Sequence, residues 1–183
     1  MYVDIKSIEL IKFNNCNGCS ECCKNKLMAP LVLEDFEKVY KYFPILIAKF
    51  DILKPVMLLS NETACPYLRN DKCSIYENRP PACKIYPYSP WYDDILLDLS
   101  CKGVGVEGEI LPLTEEGFKV SKFYEERFEN ITSKIKTTTK WLNKQTLNFY
   151  KTYHDIKLFT LKPQDIYGEI MQISLTHLYK YFH

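Results

Sequence analysis

Apolar and polar positions alternate differently in the two halves of the chain. From Leu33 to Phe43 the apolar residues include Phe36, Val39, Tyr40 and Phe43. That i, i+3, i+4, i+7 stripe predicts a short helix, which Pro44 ends. Ile45 to Phe50 reads as a further helical turn. Pro55-Val-Met-Leu-Leu and Ile95-Leu-Leu-Asp-Leu are apolar runs of strand length, and Asn70-Asp71 and Asn78-Arg-Pro-Pro between them are turn signals. The rest of this half lacks periodicity and predicts loops with little core of their own. The second half reads as helical. Thr114 caps a helix with Glu115 and Glu116 in its first turn, and Phe118, Tyr124, Phe128, Ile131 and Ile135 follow at helical spacing. A second helix carries Trp141, Leu142, Phe149, Tyr150 and Tyr153, and a third starts near Pro163 with Ile166, Ile170 and Met171. The predicted fold class is α+β to mainly α. A loop-rich cysteine-cluster domain closed by metal (residues 1–108) precedes a helical C-terminal region (residues 109–183) packed on it.

Composition narrows the function classes. The chain has 183 residues, 46% of them hydrophobic and 26% charged, with a formal net charge of +1. A packed core is attainable, and disordered and collagen-like classes are excluded. So balanced a charge argues against nucleic acid as a partner. Residues 132–162 hold seven lysines and one acid, interleaved with Trp141, Phe149, Tyr150 and Tyr153. This pattern is that of helices with a lysine face and an aromatic core face. Charges interrupt every apolar run near the N-terminus, and no window of 18 residues is uncharged and apolar. A cytoplasmic protein without membrane contact is expected.

The distinctive chemistry is in the thiols. All eight cysteines lie between Cys16 and Cys101. The first block is Cys16-x2-Cys19-x2-Cys22-Cys23; the second is Cys65, Cys73, Cys83 and Cys101, with gaps of 7, 9 and 17 residues. In a reducing cytosol such clusters bind metal or do redox chemistry, rather than forming disulfides. A two-residue gap lets a tight turn aim two thiolates at one centre. The double gap of Cys16, Cys19 and Cys22 matches the start of the bacterial ferredoxin run, which wraps a [4Fe–4S] cluster. Zinc uses the same thiolates, four to an ion, so eight could also close two zinc sites. Soft sulfur ligation selects these metals over magnesium and calcium. Adjacent Cys22 and Cys23 are expected to face different sites. Because the second block has no close pair, it is expected to fold back onto the first and share a centre with it.

These motifs carry a resemblance. Cys16-Asn-Gly-Cys-Ser-Glu-Cys-Cys resembles the signature of the CxxCxxCC cysteine-cluster family, the YkgJ-like proteins described as zinc- or iron-chelating. The stretch from Ala64-Cys-Pro-Tyr-Leu-Arg through Asn78-Arg-Pro-Pro-Ala-Cys-Lys-Ile-Tyr-Pro is similar to the family's second motif, as is Cys101-Lys-Gly. The resemblance covers about residues 13–105. It implies a metal-binding cluster with Cys16, Cys19, Cys22, Cys23, Cys65, Cys73, Cys83 and Cys101 as ligands. One branch resembles flagellin lysine N-methylase, a longer protein with an activity that this short chain, without an obvious S-adenosylmethionine-binding fold, does not announce.

Other features weigh less. Gly103-Val-Gly-Val-Glu-Gly matches G-x-G-x-x-G, but Pro112 follows where a dinucleotide site needs a helix. The segment reads as a turn in which Gly103 and Gly105 let backbone approach the cluster. Arg79, before the rigid Pro80-Pro81 turn and Cys83, is the candidate cation to offset thiolate charge. Lys72, Lys84 and Lys102 read as solvated, and His154 and His177 as helical residues without ligand roles. No catalytic constellation stands out, so an enzymatic role is left open. The favoured reading is an iron–sulfur protein, [4Fe–4S], acting in electron transfer or as the redox part of an enzyme, with a protein partner of unknown identity. A zinc-stabilised module that binds protein or nucleic acid is the first alternative, and a lysine methylase-like enzyme the second.

Overall fold

A computed structural model describes residues 1–14, 19–91, 94–105, 107–111 and 128–182. Its strands are β1 (Tyr2–Asp4), β2 (Lys12–Phe13), β3 (Met28–Pro30), β4 (Ile45–Lys49), β5 (Leu53–Leu58), β6 (Leu68–Arg69), β7 (Lys72–Cys73), β8 (Tyr88–Trp91), β9 (Asp94–Asp98), β10 (Val104–Gly105), β11 (Glu109–Ile110), β12 (Leu147–Tyr153) and β13 (Ile156–Leu161). The α-helices among the described residues are α1 (Glu21–Asn25), α2 (Phe36–Val39), α3 (Pro81–Lys84), α4 (Ile131–Leu142) and α5 (Ile166–Ser174). The expected α+β to mainly α class is therefore corrected. The chain is β-rich, and every strand pair among the described residues is antiparallel.

The largest sheet has the order β12-β13-β4-β5-β3. It joins strands from both halves of the chain: Leu158 lies opposite Ala48, and Ala48 opposite Lys54. Ile45, Leu46, Ile47 and Ala48 have no exposed surface. A strand buried on both faces has no period-two alternation, so Ile45–Phe50 looked like a helical turn. The expectation of little core in the first half is likewise overturned, because β4 and β5 lie in the main core. In β12 the register shifts between Phe149 and Lys151. This irregularity breaks the alternation and made Phe149, Tyr150 and Tyr153 read as a helical stripe. His154 and Asp155, both with positive φ (45° and 65°), close the two-residue hairpin from β12 to β13.

Several local expectations hold. A 3-10 turn, Leu33–Asp35, runs into α2, and strands form at β5 and β9. Ile131 and Ile135 lie on α4 and Ile166 and Ile170 on α5. The helix expected from Thr114, with Phe118 and Tyr124, lies outside the described residues. Asp165 caps α5: its Oδ1 accepts from Gly168 N at 2.9 Å, and its Oδ2 accepts from Trp141 Nε1 at 2.6 Å. Ser174 Oγ accepts from Ile45 N at 2.8 Å, which ties the end of α5 to the start of β4. A second core, with Tyr88, Leu97, Phe128 and Ile131, lies under the β1-β9-β8 sheet. No helix among the described residues is long and apolar enough to cross a membrane.

Candidate metal centre

The loops between these sheets bring the two cysteine blocks together. Ser20 takes a left-handed conformation (φ 62°) and starts α1, so Cys22 and Cys23 ride on one short helix. The helix is fastened to the second block at several points. Cys65 N donates to the Cys23 carbonyl at 2.6 Å. Ser20 Oγ donates to Asp71 O at 2.7 Å, and Lys24 Nζ pairs with Asp71 Oδ1 at 2.7 Å. Asn70 and Asp71 are the positive-φ pair of a tight β6–β7 hairpin (φ 49° and 57°), which the Asn-Asp signal predicted. Lys102 Nζ meets Glu21 Oε1 at 3.2 Å. Cys73 lies in β7, Cys83 in α3, and Cys101 just after β9.

Cys19, Cys22, Cys23, Cys65, Cys73, Cys83 and Cys101 all line one cavity of about 620 Å³. Each is a free thiol; Cys65 is buried and the others are half-buried. Cys16 lies outside the described residues. Met28, Phe43, Met57 and Leu59 supply apolar wall. Among the described residues, no three His, Cys, Asp or Glu side chains converge on a single-ion position.

Their electrostatics suit a cationic guest. Burial pushes the Cys65 thiol up to about 11, against the Tyr67 N–H that favours its thiolate, and charge at Cys73 and Cys22 adds to the rise. Burial raises Cys83 far above the ordinary thiol value, with further repulsion from Cys65, Cys22 and Cys73, which Arg79 opposes. Cys22 is raised first by sharing a hydrogen bond with Cys23 and then by burial. Cys101 is raised by burial, while the Gly103 N–H favours its thiolate. Thiols of both blocks thus suppress one another's ionisation, a conflict that metal coordination resolves. The donor set fits a thiolate-bound metal or cluster.

The remaining expected residues fall as follows. Arg79 borders the cavity, its guanidinium stacked 3.6 Å from the Tyr76 ring centroid and its Nε donating to Tyr76 O at 2.8 Å. Gly103 lines the cavity, and its carbonyl accepts from Asn14 N at 2.8 Å. Gly105 is outside the lining, and a Cβ there would meet open space. The glycine that backbone geometry demands is Gly108, with φ of 95° and an added Cβ 2.2 Å from Phe13 O. β10, within the G-x-G-x-x-G segment, and β11, just after it, lie on opposite sides of β2, and each pairs antiparallel with it; no helix opens among the described residues of the segment. His154 occupies the β12–β13 turn. His177 Nε2 lies 3.0 Å from Tyr40 O, with Lys180 Nζ 3.3 Å from its Nδ1. Neither histidine borders the cavity.

Sequence reasoning missed a polar group at the cavity edge. Asp98, with no exposed surface, pairs with Lys26. It also accepts from Ser100 Oγ at 2.6 Å and Tyr86 Oη at 3.1 Å. Lys26 and Tyr86 both border the cavity, and Tyr86 also hydrogen-bonds the Cys101 thiol. The only available signal was proximity: Lys26 lies three residues after Cys23, and Tyr86 three after Cys83.

A family model described as "Putative zinc- or iron-chelating domain" matches residues 15–145. No curated protein and no solved structure matches the chain.

Proposed function

Since the chain belongs to the CxxCxxCC family, whose description is metal chelation, we propose that it holds an iron–sulfur cluster, [4Fe–4S], between its two cysteine blocks and exchanges electrons with a protein partner. The observation that carries this reading is the single cavity lined by seven thiols from both blocks. A lone tetrahedral zinc ion draws four sulfurs to about 2.3 Å from one point. A polynuclear cluster draws its thiolates around a volume, and a cavity lined by cysteines of both blocks supports that reading. When bound, the cluster supplies a one-electron redox couple whose potential depends on charge, hydrogen bonds and solvent exposure.

In this reading Cys16, Cys19 and Cys22 supply three of the cluster's four thiolates, and one thiolate of the second block, from among Cys65, Cys73, Cys83 and Cys101, supplies the fourth. The protein's other groups tune the site. Arg79 offsets thiolate charge near Cys83, and the backbone N–H groups of Tyr67 and Gly103 stabilise the Cys65 and Cys101 thiolates. The apolar wall of Met28, Phe43, Met57 and Leu59 limits water.

Anaerobic purification followed by iron, zinc and acid-labile sulfide analysis tests the reading. Iron and sulfide in equal amounts, with a brown colour bleached by reductant, are expected. A colourless protein with stoichiometric zinc and no sulfide overturns the cluster and leaves a zinc site.

A further inference from the structure

Charge is not spread evenly over this chain. Its 24 basic and 23 acidic residues nearly cancel, yet five cationic side chains and two anionic ones line the thiol cavity. Both anions are taken: Glu21 pairs with Lys102 at 3.2 Å, and Asp71 with Lys24 at 2.7 Å. Lys26 is neutralised by Asp98. Lys72, Arg79 and Lys84 remain, and among the described residues none of the three forms an ion pair.

Further placements point to a ligand from outside. Arg69 stands opposite Lys72 in the β6–β7 hairpin. Like charges directly across a ladder destabilise it, and the acid of that turn, Asp71, is held by Lys24 instead. Tyr76 lines the same cavity, is 49% exposed and carries the Arg79 guanidinium on its ring. Tyrosine and arginine are the residues that protein interfaces favour at their centres. Arg69, Lys72 and Lys84 are exposed, so water screens them from the thiolates within, and their charge acts on whatever approaches from solvent. The excess is confined to this rim. The neighbouring cavity of about 560 Å³, which shares Arg79 and Lys84, is lined by Lys38 and Lys41 together with Glu34 and Glu37.

We infer that Arg69, Lys72, Arg79 and Lys84 form a docking surface for an acidic redox protein, the electron-exchange partner of the proposed cluster. This inference rests on that cluster. The cations steer an acidic patch of the partner to the cavity, and Tyr76 anchors it beside the space that Cys73 and Cys83 line. One electron then passes from the reduced cluster to the partner's oxidised centre, and no bond is made or broken.

The test uses the full-length, iron-loaded protein, reduced and mixed in stopped flow with oxidised cytochrome b5, an acidic acceptor, or oxidised cytochrome c, a basic one. With cytochrome b5 the rate is expected to fall about tenfold as salt rises from about 20 mM to about 500 mM, and with cytochrome c it should not fall. Lys72→Glu/Lys84→Glu should slow the low-salt reaction with cytochrome b5 about tenfold. Its iron content and its rate with benzoquinone, an uncharged oxidant, should match wild type. Arg69→Glu, four residues from the nearest cysteine, should act in the same direction and decides the matter if the double variant loses iron. A rate with cytochrome b5 that responds neither to salt nor to these substitutions overturns the inference while leaving the cluster intact. A single-stranded oligonucleotide that binds wild type but not Arg69→Glu, with electron transfer unaffected, assigns the rim to nucleic acid and overturns it as well. A wild-type chain without iron and sulfide overturns the proposed cluster, and this inference with it.

Discussion

Cys65 and Cys23 are joined by a main-chain hydrogen bond of 2.6 Å, although 41 residues lie between them. The bond fixes the loop after β5 to the helix that carries Cys22 and Cys23. It holds the start of the second block beside the first.

Metal content should therefore depend on both blocks. Cys22→Ser and Cys65→Ser are each expected to lower the metal bound per chain, measured by elemental analysis of the purified proteins. Two independent sites would instead have each substitution remove only its own block's share, and the double variant would lose the sum of the two. A shared centre makes the double variant no worse than the worse single one.

Removing the metal should loosen the site without dissolving the fold. Residues 62–85 and 99–105 are held by short strands, turns and a few side-chain bonds, whereas β4, β5 and β13 lie in the main core. After chelation under reducing conditions, hydrogen exchange should quicken in those loops and stay slow in Ile45–Lys49 and Leu53–Leu58. Unchanged exchange throughout would mean that the metal holds none of the structure.

Asp98 should be a large local contributor to stability. Removing it leaves the Lys26 ammonium, only 18% exposed, without its carboxylate. Asp98→Ala is expected to cost about 3 kcal/mol in urea denaturation, and Lys26→Met less, because it leaves Asp98 its Ser100 and Tyr86 donors.

The same group gives a pH dependence with a fixed sign. Burial alone raises the Asp98 carboxyl, but hydrogen bonds from Lys26 and Ser100 outweigh it and hold the group at about 2, below its usual 3.8. The folded state thus binds this proton more weakly than the unfolded state does. The stabilisation, about 2 kcal/mol, is complete above about pH 4 and is lost as pH falls through about 2. The difference in stability between wild type and Asp98→Asn should shrink over that interval, and a difference independent of pH would refute the assignment.

Gly108 and Gly105 should respond oppositely to substitution. Gly108→Ala puts a Cβ against Phe13 O at a φ of 95°. It is expected to destabilise the protein by about 1–3 kcal/mol, seen as a lower melting temperature. Gly105→Ala meets nothing within 4 Å and should be close to neutral.

The chemistry of this chain was legible in the sequence because it is written in residue type and local spacing. The thiol blocks, the Asn70-Asp71 turn, the start of α2 and the position of α5 each depend on a few neighbouring residues. The fold class was not legible, because strand pairing is settled between distant segments. β13 completes its pairing against β4, more than 100 residues away, and a strand buried on both faces shows no alternation. The irregularity at Tyr150 hid β12 in the same way. The polar environment of the site was also beyond local reading. Asp98 meets Lys26 only once β9 and the segment after α1 are packed together. Spacing identified the groups able to bind metal; long-range packing decided which of them share a cavity and which side chains surround it.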